Sequence, residues 1–158
     1  MSAVSVLNVL CRGIVGHVSY LAACSLSEVY SEYQLYEPIA RIALSNGYAV
    51  RCEVPVEPHA GKRGKSPRLD FELSKDGARI ALEVKWCRTR SCNVSKDVKK
   101  LRRRKELKGS TCCILAFGKG KIIESLKLKS EGKQLKPGGK LVQWDARKTN
   151  YAARWYHA

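Results

Sequence analysis

The stretch Arg68–Trp86, RLDFELSKDGARIALEVKW, decides how the rest of the chain is read. It holds two runs of period-two alternation separated by Lys75-Asp76-Gly77-Ala78. Leu69, Phe71 and Leu73 alternate with Arg68, Asp70, Glu72 and Ser74, and Ile80, Leu82, Val84 and Trp86 alternate with Arg79, Ala81, Glu83 and Lys85. Alternation around Asp-Gly predicts an antiparallel hairpin, because these residues accept the positive φ angles of a tight two-residue turn. With Asp76 and Gly77 as the loop, Lys75 pairs with Ala78, and counting outward sets Asp70 opposite Glu83. Lys85 lies two residues beyond Glu83 and so projects from the same face.

Directly opposed side chains have Cβ atoms about 4.5–5.5 Å apart, where like charges repel. A divalent cation between the carboxylates gives the pair a reason. The alternative is a solvated hairpin face whose charges happen to align. Hard oxygen donors without a neighbouring His or Cys favour Mg²⁺ or Mn²⁺ over zinc.

An Asp followed by Glu-x-Lys on the next strand resembles the signature of the PD-(D/E)xK nuclease superfamily, the restriction-endonuclease-like fold. Asp70, Glu83 and Lys85 match its three signature positions, with Leu69 where a proline often stands. The resemblance implies an α/β fold with an αβββαβ core, in which a mixed central sheet is flanked by helices. It also implies Mg²⁺ or Mn²⁺ held by Asp70, Glu83 and the Val84 carbonyl. Lys85 is then expected to hold the attacking water or to stabilise the developing phosphorane. Metal-dependent hydrolysis of duplex or branched DNA is the expected activity. A catalytically silent nucleic-acid-binding member of the same fold, or a basic adaptor that contacts RNA, is the alternative.

The flanking chain supplies elements in that order. Ser27 to Asn46 reads as helix, interrupted at Pro38 so that a second helix starts near Glu37-Pro38, and Gly47 is a stop signal. Tyr48–Val54 reads as the first strand. The run from Tyr36-Glu37-Pro38 through Gly-Tyr-Ala-Val resembles the opening of junction-resolvase-like members, whose early helix sends a glutamate to the metal. Glu37 is the best match, with Glu28 and Glu32 weaker. Pro55 to Pro67 reads as a loop, where Lys62, Arg63, Lys65 and Arg68 stand ready to grip a phosphate backbone.

After the hairpin, Ser91 to Ser95 offers caps for a helix to about Lys108, with a narrow apolar stripe of Val94, Val98 and Leu101. The remainder is strongly basic, and Lys99, Arg102 and Arg103 share the face expected to meet DNA. Thr111–Phe117 is an interior strand. The core therefore covers about residues 28–118 of a single nuclease domain, with 1–26 as an added helix and 119–158 as a C-terminal elaboration. In the latter, Ile122-Ile123 reads as a short strand, Pro137-Gly138-Gly139 as a loop and Leu141–Trp144 as another strand. The aromatic tail from Tyr151 to Tyr156 reads as a cap on the sheet, with stacking against bases or a second protomer, hence a homodimer, left open.

Composition agrees with such a partner. A chain of 158 residues has room for one core, and its net charge of +16 calls for a polyanion. Nucleic acid leads, with an anionic membrane surface as the alternative. Seven cysteines at irregular spacing argue against a secreted disulfide framework. Cys87, Cys92, Cys112 and Cys113 do not have the spacing of a usual zinc site. Leu21-Ala22-Ala23-Cys24 spells a lipoprotein-like processing site. No basic residue precedes Arg12, and Gly13, Gly16, His17 and Ser19 interrupt the apolar run. The segment reads as too short and too polar to span a bilayer. It is expected instead to form a helix burying Val6, Leu10, Val18 and Leu21, in a cytoplasmic protein without a membrane partner.

Overall fold

The computed structural model describes residues 2–24, 31–56, 67–105, 109–146 and 149–158. Helix α1 (Ala3–Ala23) comes first, then a single 3₁₀ turn (Glu32–Leu35) runs into α2 (Tyr36–Ser45). Strands β1 (Ala49–Pro55), β2 (Arg68–Lys75), β3 (Ala78–Cys87) and β4 (Ser91–Asn93) follow, then α3 (Ser95–Lys105) and β5 (Ser110–Lys119). The chain closes with α4 (Gly120–Glu124), β6 (Lys127–Ser130), β7 (Lys133–Gln134), β8 (Val142–Ala146) and β9 (Thr149–His157).

Six strands form a mixed sheet in the order β1-β2-β3-β5-β9-β8. β3 and β5 run parallel across the α3 crossover, while the other neighbours are antiparallel. A small second sheet joins β4, β6 and β7. The main sheet separates two apolar layers. Phe71, Leu73, Ile80, Leu82, Val84, Leu115, Phe117 and Trp155 pack with α1 and α2, and Ala81, Ile114, Ala116 and Tyr156 pack with α3 and α4. Burying one such large side chain contributes about 1.5–3 kcal/mol, so the two layers dominate stability.

Local chemistry sets the element ends. Asp76 (φ 49°) and Gly77 (φ 79°) form the expected turn, and Gly47 (φ 77°) ends α2 as its position predicts. Ser2 caps α1 by accepting the Ser5 N–H at 3.3 Å. A Cβ on Gly13 would stand 2.2 Å from Ile42 Cδ1, so any larger residue there would make the Ile42 side chain shift where α1 and α2 meet.

Several expectations change. Ile122-Ile123 belongs to α4 rather than to a strand. The aromatic tail is not a cap on the sheet but a strand within it, β9, paired with both β5 and β8. Val6, Leu10 and Val18 are buried as expected, whereas Leu21 is half-buried. At 21 residues α1 is, by length and composition, long and apolar enough to cross a membrane, contrary to the reading of its sequence as too short and too polar. In this fold it lies on the sheet instead, with Val6, Leu7, Leu10, Cys11, Ile14 and Val15 buried. The loop carrying Lys62, Arg63 and Lys65 lies outside the described residues.

Candidate active site

The hairpin has the expected register, from Lys75↔Ala78 outward to Phe71↔Leu82. The ladder stops one pair before Asp70 and Glu83. There Asp70 Oδ2 accepts the Val84 N–H at 2.7 Å, a carboxylate standing where a strand carbonyl ordinarily would. The alternation breaks at the same point: Phe71 and Leu73 join the α1 layer, while Leu69 joins the α3 layer. On β1 the partners Cys52↔Phe71 and Val54↔Leu69 flank Glu53, whose φ is 51°. A non-glycine residue held there costs about 1–3 kcal/mol, and the distortion opens the sheet beside Asp70.

Tyr36, at the start of α2, fills part of this opening. Its hydroxyl lies 2.8 Å from Asp70 Oδ1 and 2.9 Å from Glu53 Oε1. A phenol has one proton, so it donates to one carboxylate at a time and the other contact calls for a further proton. Burial, then the charges and hydrogen bonding of Asp70 and Glu53, raise the Tyr36 pKa and keep it a hydroxyl. Burial also raises Asp70, against the lowering effect of the Val84 N–H, the Tyr36 hydroxyl and Lys100.

Glu83 is 2% exposed and faces α3. Its Oε2 accepts from Lys100 Nζ at 2.6 Å, while Oε1 is buried with no hydrogen-bond partner among the described residues. Burial, with the Asp70 charge second, pushes Glu83 up to about 8 despite Lys100. Lys100 Nζ also reaches the Arg68 carbonyl at 3.1 Å and Asp97 Oδ1 at 3.5 Å.

Lys85 Nζ stands 3.4 Å from Asp97 Oδ2 and 3.9 Å from Glu32 Oε1. Burial pulls its pKa down, but Asp97 and Glu32 together outweigh it, so Lys85 stays cationic. It is therefore a donor and a positive charge rather than a base.

Glu37 does not reach this cluster. It is 72% exposed and pairs with Arg41 one turn away at 2.8 Å, because Tyr36, Ile39 and Ala43 occupy the inward side of α2. The glutamate that arrives from this region is Glu32, whose Oε1 accepts the Trp86 N–H at 2.9 Å. Glu28 is outside the described residues. Glu37→Gln is expected to move stability by less than about 0.5 kcal/mol. Glu32→Gln loosens the hold on both Lys85 and the Trp86 N–H and should lower stability more. Parallel urea unfolding of the two variants checks the contrast.

Of the expected DNA contacts, Arg68 is exposed and its guanidinium reaches the Glu53 carbonyl at 3.3 Å. Lys99 and Arg102 both pair with Glu131, at 3.7 and 3.4 Å, and Arg103 is half-buried. Glu53, Asp97, Tyr36 and Lys100 are the site residues that the sequence does not single out.

The donors suit a hard divalent ion. Asp70 and Glu83 offer carboxylate oxygens, and Glu83 Oε1 is buried with no hydrogen-bond partner among the described residues. Among the described residues no group of three or more His, Cys, Asp and Glu side chains is placed to enclose a metal. A set of two carboxylates is small for a metal and would suit only an ion such as Mg²⁺ that keeps several of its waters. All seven cysteines are free thiols. Searches of family models, curated proteins and solved structures find no match to this chain.

Proposed function

We propose that the protein is a metal-dependent endonuclease that hydrolyses DNA, a member of the PD-(D/E)xK superfamily with its restriction-endonuclease-like fold. The observation that carries this reading is the buried Glu83, with one unpartnered oxygen, placed beside Asp70 and Lys85 where the hairpin ladder opens. The succession α2, β1, β2, β3, α3, β5, interrupted by the three-residue β4 of the second sheet between β3 and α3, supports the fold assignment. Asp70, Glu83 and the Val84 carbonyl would hold Mg²⁺ or Mn²⁺. When bound, the ion supplies charge neutralisation at the scissile phosphate and acidifies a water. Tyr36 and the Val84 N–H fix the Asp70 carboxylate. Lys85, oriented by Asp97 and Glu32, offers its ammonium to the charge that develops on phosphorus.

Lys100, 2.6 Å from Glu83, favours a second reading, in which the site is permanently neutralised and the protein only binds DNA. Incubation with plasmid DNA and Mg²⁺, then with structured RNA, tests both. Nicking that requires metal and is lost in Asp70→Asn supports the nuclease. Tight binding without nicking leaves the binding-only protein.

The grip on DNA makes its own prediction. Changing Lys99, Arg102 and Arg103 to Gln should flatten the slope of log K against log salt by about two to three units. Lys99 and Arg102 are tied to Glu131, so Glu131→Gln should release them and tighten binding. Fluorescence anisotropy across a salt series reads both. An unaltered slope in the triple variant would place the DNA elsewhere.

A further inference from the structure

We infer that Lys100 is the resident counter-ion of the carboxylate pair, an ammonium that a metal must displace and that is then handed to the DNA backbone. The inference rests on the metal-site reading above. Lys100 comes from α3, whose Val98 and Leu101 are fully buried together with Val94 just ahead of the helix. Position 100 sits beside these residues, and its side chain is 21% exposed. Its Nζ gathers three oxygens: Glu83 Oε2 at 2.6 Å, the Arg68 carbonyl at 3.1 Å and Asp97 Oδ1 at 3.5 Å. The Asp70 charge acts on it as well. The negative charge of Glu83, Asp97 and Asp70 that a cation would otherwise answer is met here by the protein's own ammonium.

Displacement costs metal affinity. An incoming ion must break a buried charge-assisted hydrogen bond before it can use Glu83, and a buried cation stripped of its partner is expensive. Lys85 is different: its partners are Asp97 and Glu32, so it keeps them whether or not Glu83 is engaged. Asp97 is shared by both lysines, through Oδ2 to Lys85 and Oδ1 to Lys100, and can hold Lys100 as it swings outward. A phosphodiester offers the released ammonium a new partner. Metal and DNA therefore tighten each other's binding, by the reciprocity that any such coupling obeys.

Calorimetric titration of Mn²⁺ into the metal-free protein tests this without recourse to cleavage. Lys100→Met should bind Mn²⁺ about tenfold or more tightly than the wild type, since no ammonium has to leave. Lys100→Gln, which keeps a donor for Glu83 without the charge, should lie between them. A merely structural lysine gives the opposite result, because its loss loosens the site and weakens the metal. Should Lys100→Met lose its circular dichroism spectrum without metal, recovery on adding Mn²⁺ supports displacement. Equal or weaker Mn²⁺ binding in the folded variants overturns the inference and leaves the metal site standing. No Mn²⁺ binding in any of these proteins, or binding that persists in Asp70→Asn, overturns the inference and the metal site together.

Discussion

On the nuclease reading proposed above, Asp70→Asn and Glu83→Gln should each lower Mg²⁺-dependent DNA cleavage by about a thousandfold or more while leaving metal-free DNA affinity close to that of the wild type. The amides are preferred to alanine because of what each carboxylate touches. Asp70 accepts from both Tyr36 and the Val84 N–H, so Asp70→Ala would leave a donor unmet at about 1–3 kcal/mol. Relief of repulsion between the carboxylates therefore shows as higher metal-free stability only in variants that keep those bonds. Gel-based nicking and anisotropy with one labelled duplex give the two numbers. Full cleavage by either amide variant, with contaminating nuclease excluded, would remove the carboxylates from the chemistry.

The metal-free protein should lose stability as pH rises from about 4.5 to about 8. Glu83 titrates near 8 in the fold against 4.5 as its ordinary value. The folded chain thus binds this proton more tightly than the unfolded chain does. Its stabilising contribution is complete below pH 4.5, declines through the interval, and is gone above about pH 8. Asp70, also raised, acts in the same direction. For Glu83 the loss is on the order of a few kcal/mol, large beside the stability of a domain this size. Urea unfolding in EDTA from pH 5 to 9 measures it, and Glu83→Gln should flatten the profile. An equally steep profile in that variant would assign the proton elsewhere. Added Mg²⁺ should restore stability most at the alkaline end, where the carboxylate is already ionised.

Sequence pattern reveals much of this fold and only part of the site. The hairpin register is visible because Asp76-Gly77 has a specific turn chemistry and the apolar residues around it alternate. The break at Asp70 is invisible, since Leu69 continues the alternation in sequence while its side chain joins the opposite layer. Nothing in the letters announces the positive φ of Glu53, which reads as one more polar residue on an edge strand. β9 escapes notice for another reason. Tyr151, Ala153 and Trp155 bury on one side and Ala152 and Tyr156 on the other, so no polar face marks the period. Lys100 is hidden among like charges, and only the inward turn of α3 separates it from the exposed Lys99. Glu37 misleads because it stands beside Tyr36, the residue that does reach Asp70.

The first helix and the last strand are joined by a hydrogen bond from Trp155 Nε1 to Asn8 Oδ1, at 3.0 Å. α1 packs on β9, α2 and β8, and both of those strands lie far along the sequence from it. During synthesis, therefore, α1 emerges well before the two strands that complete its cover. Until then only α2, across the close contact at Gly13, can shield part of this apolar segment. At translation rates of about 5–20 residues per second the wait lasts on the order of ten seconds. Formation of β9 ends that interval and covers the remaining face of α1.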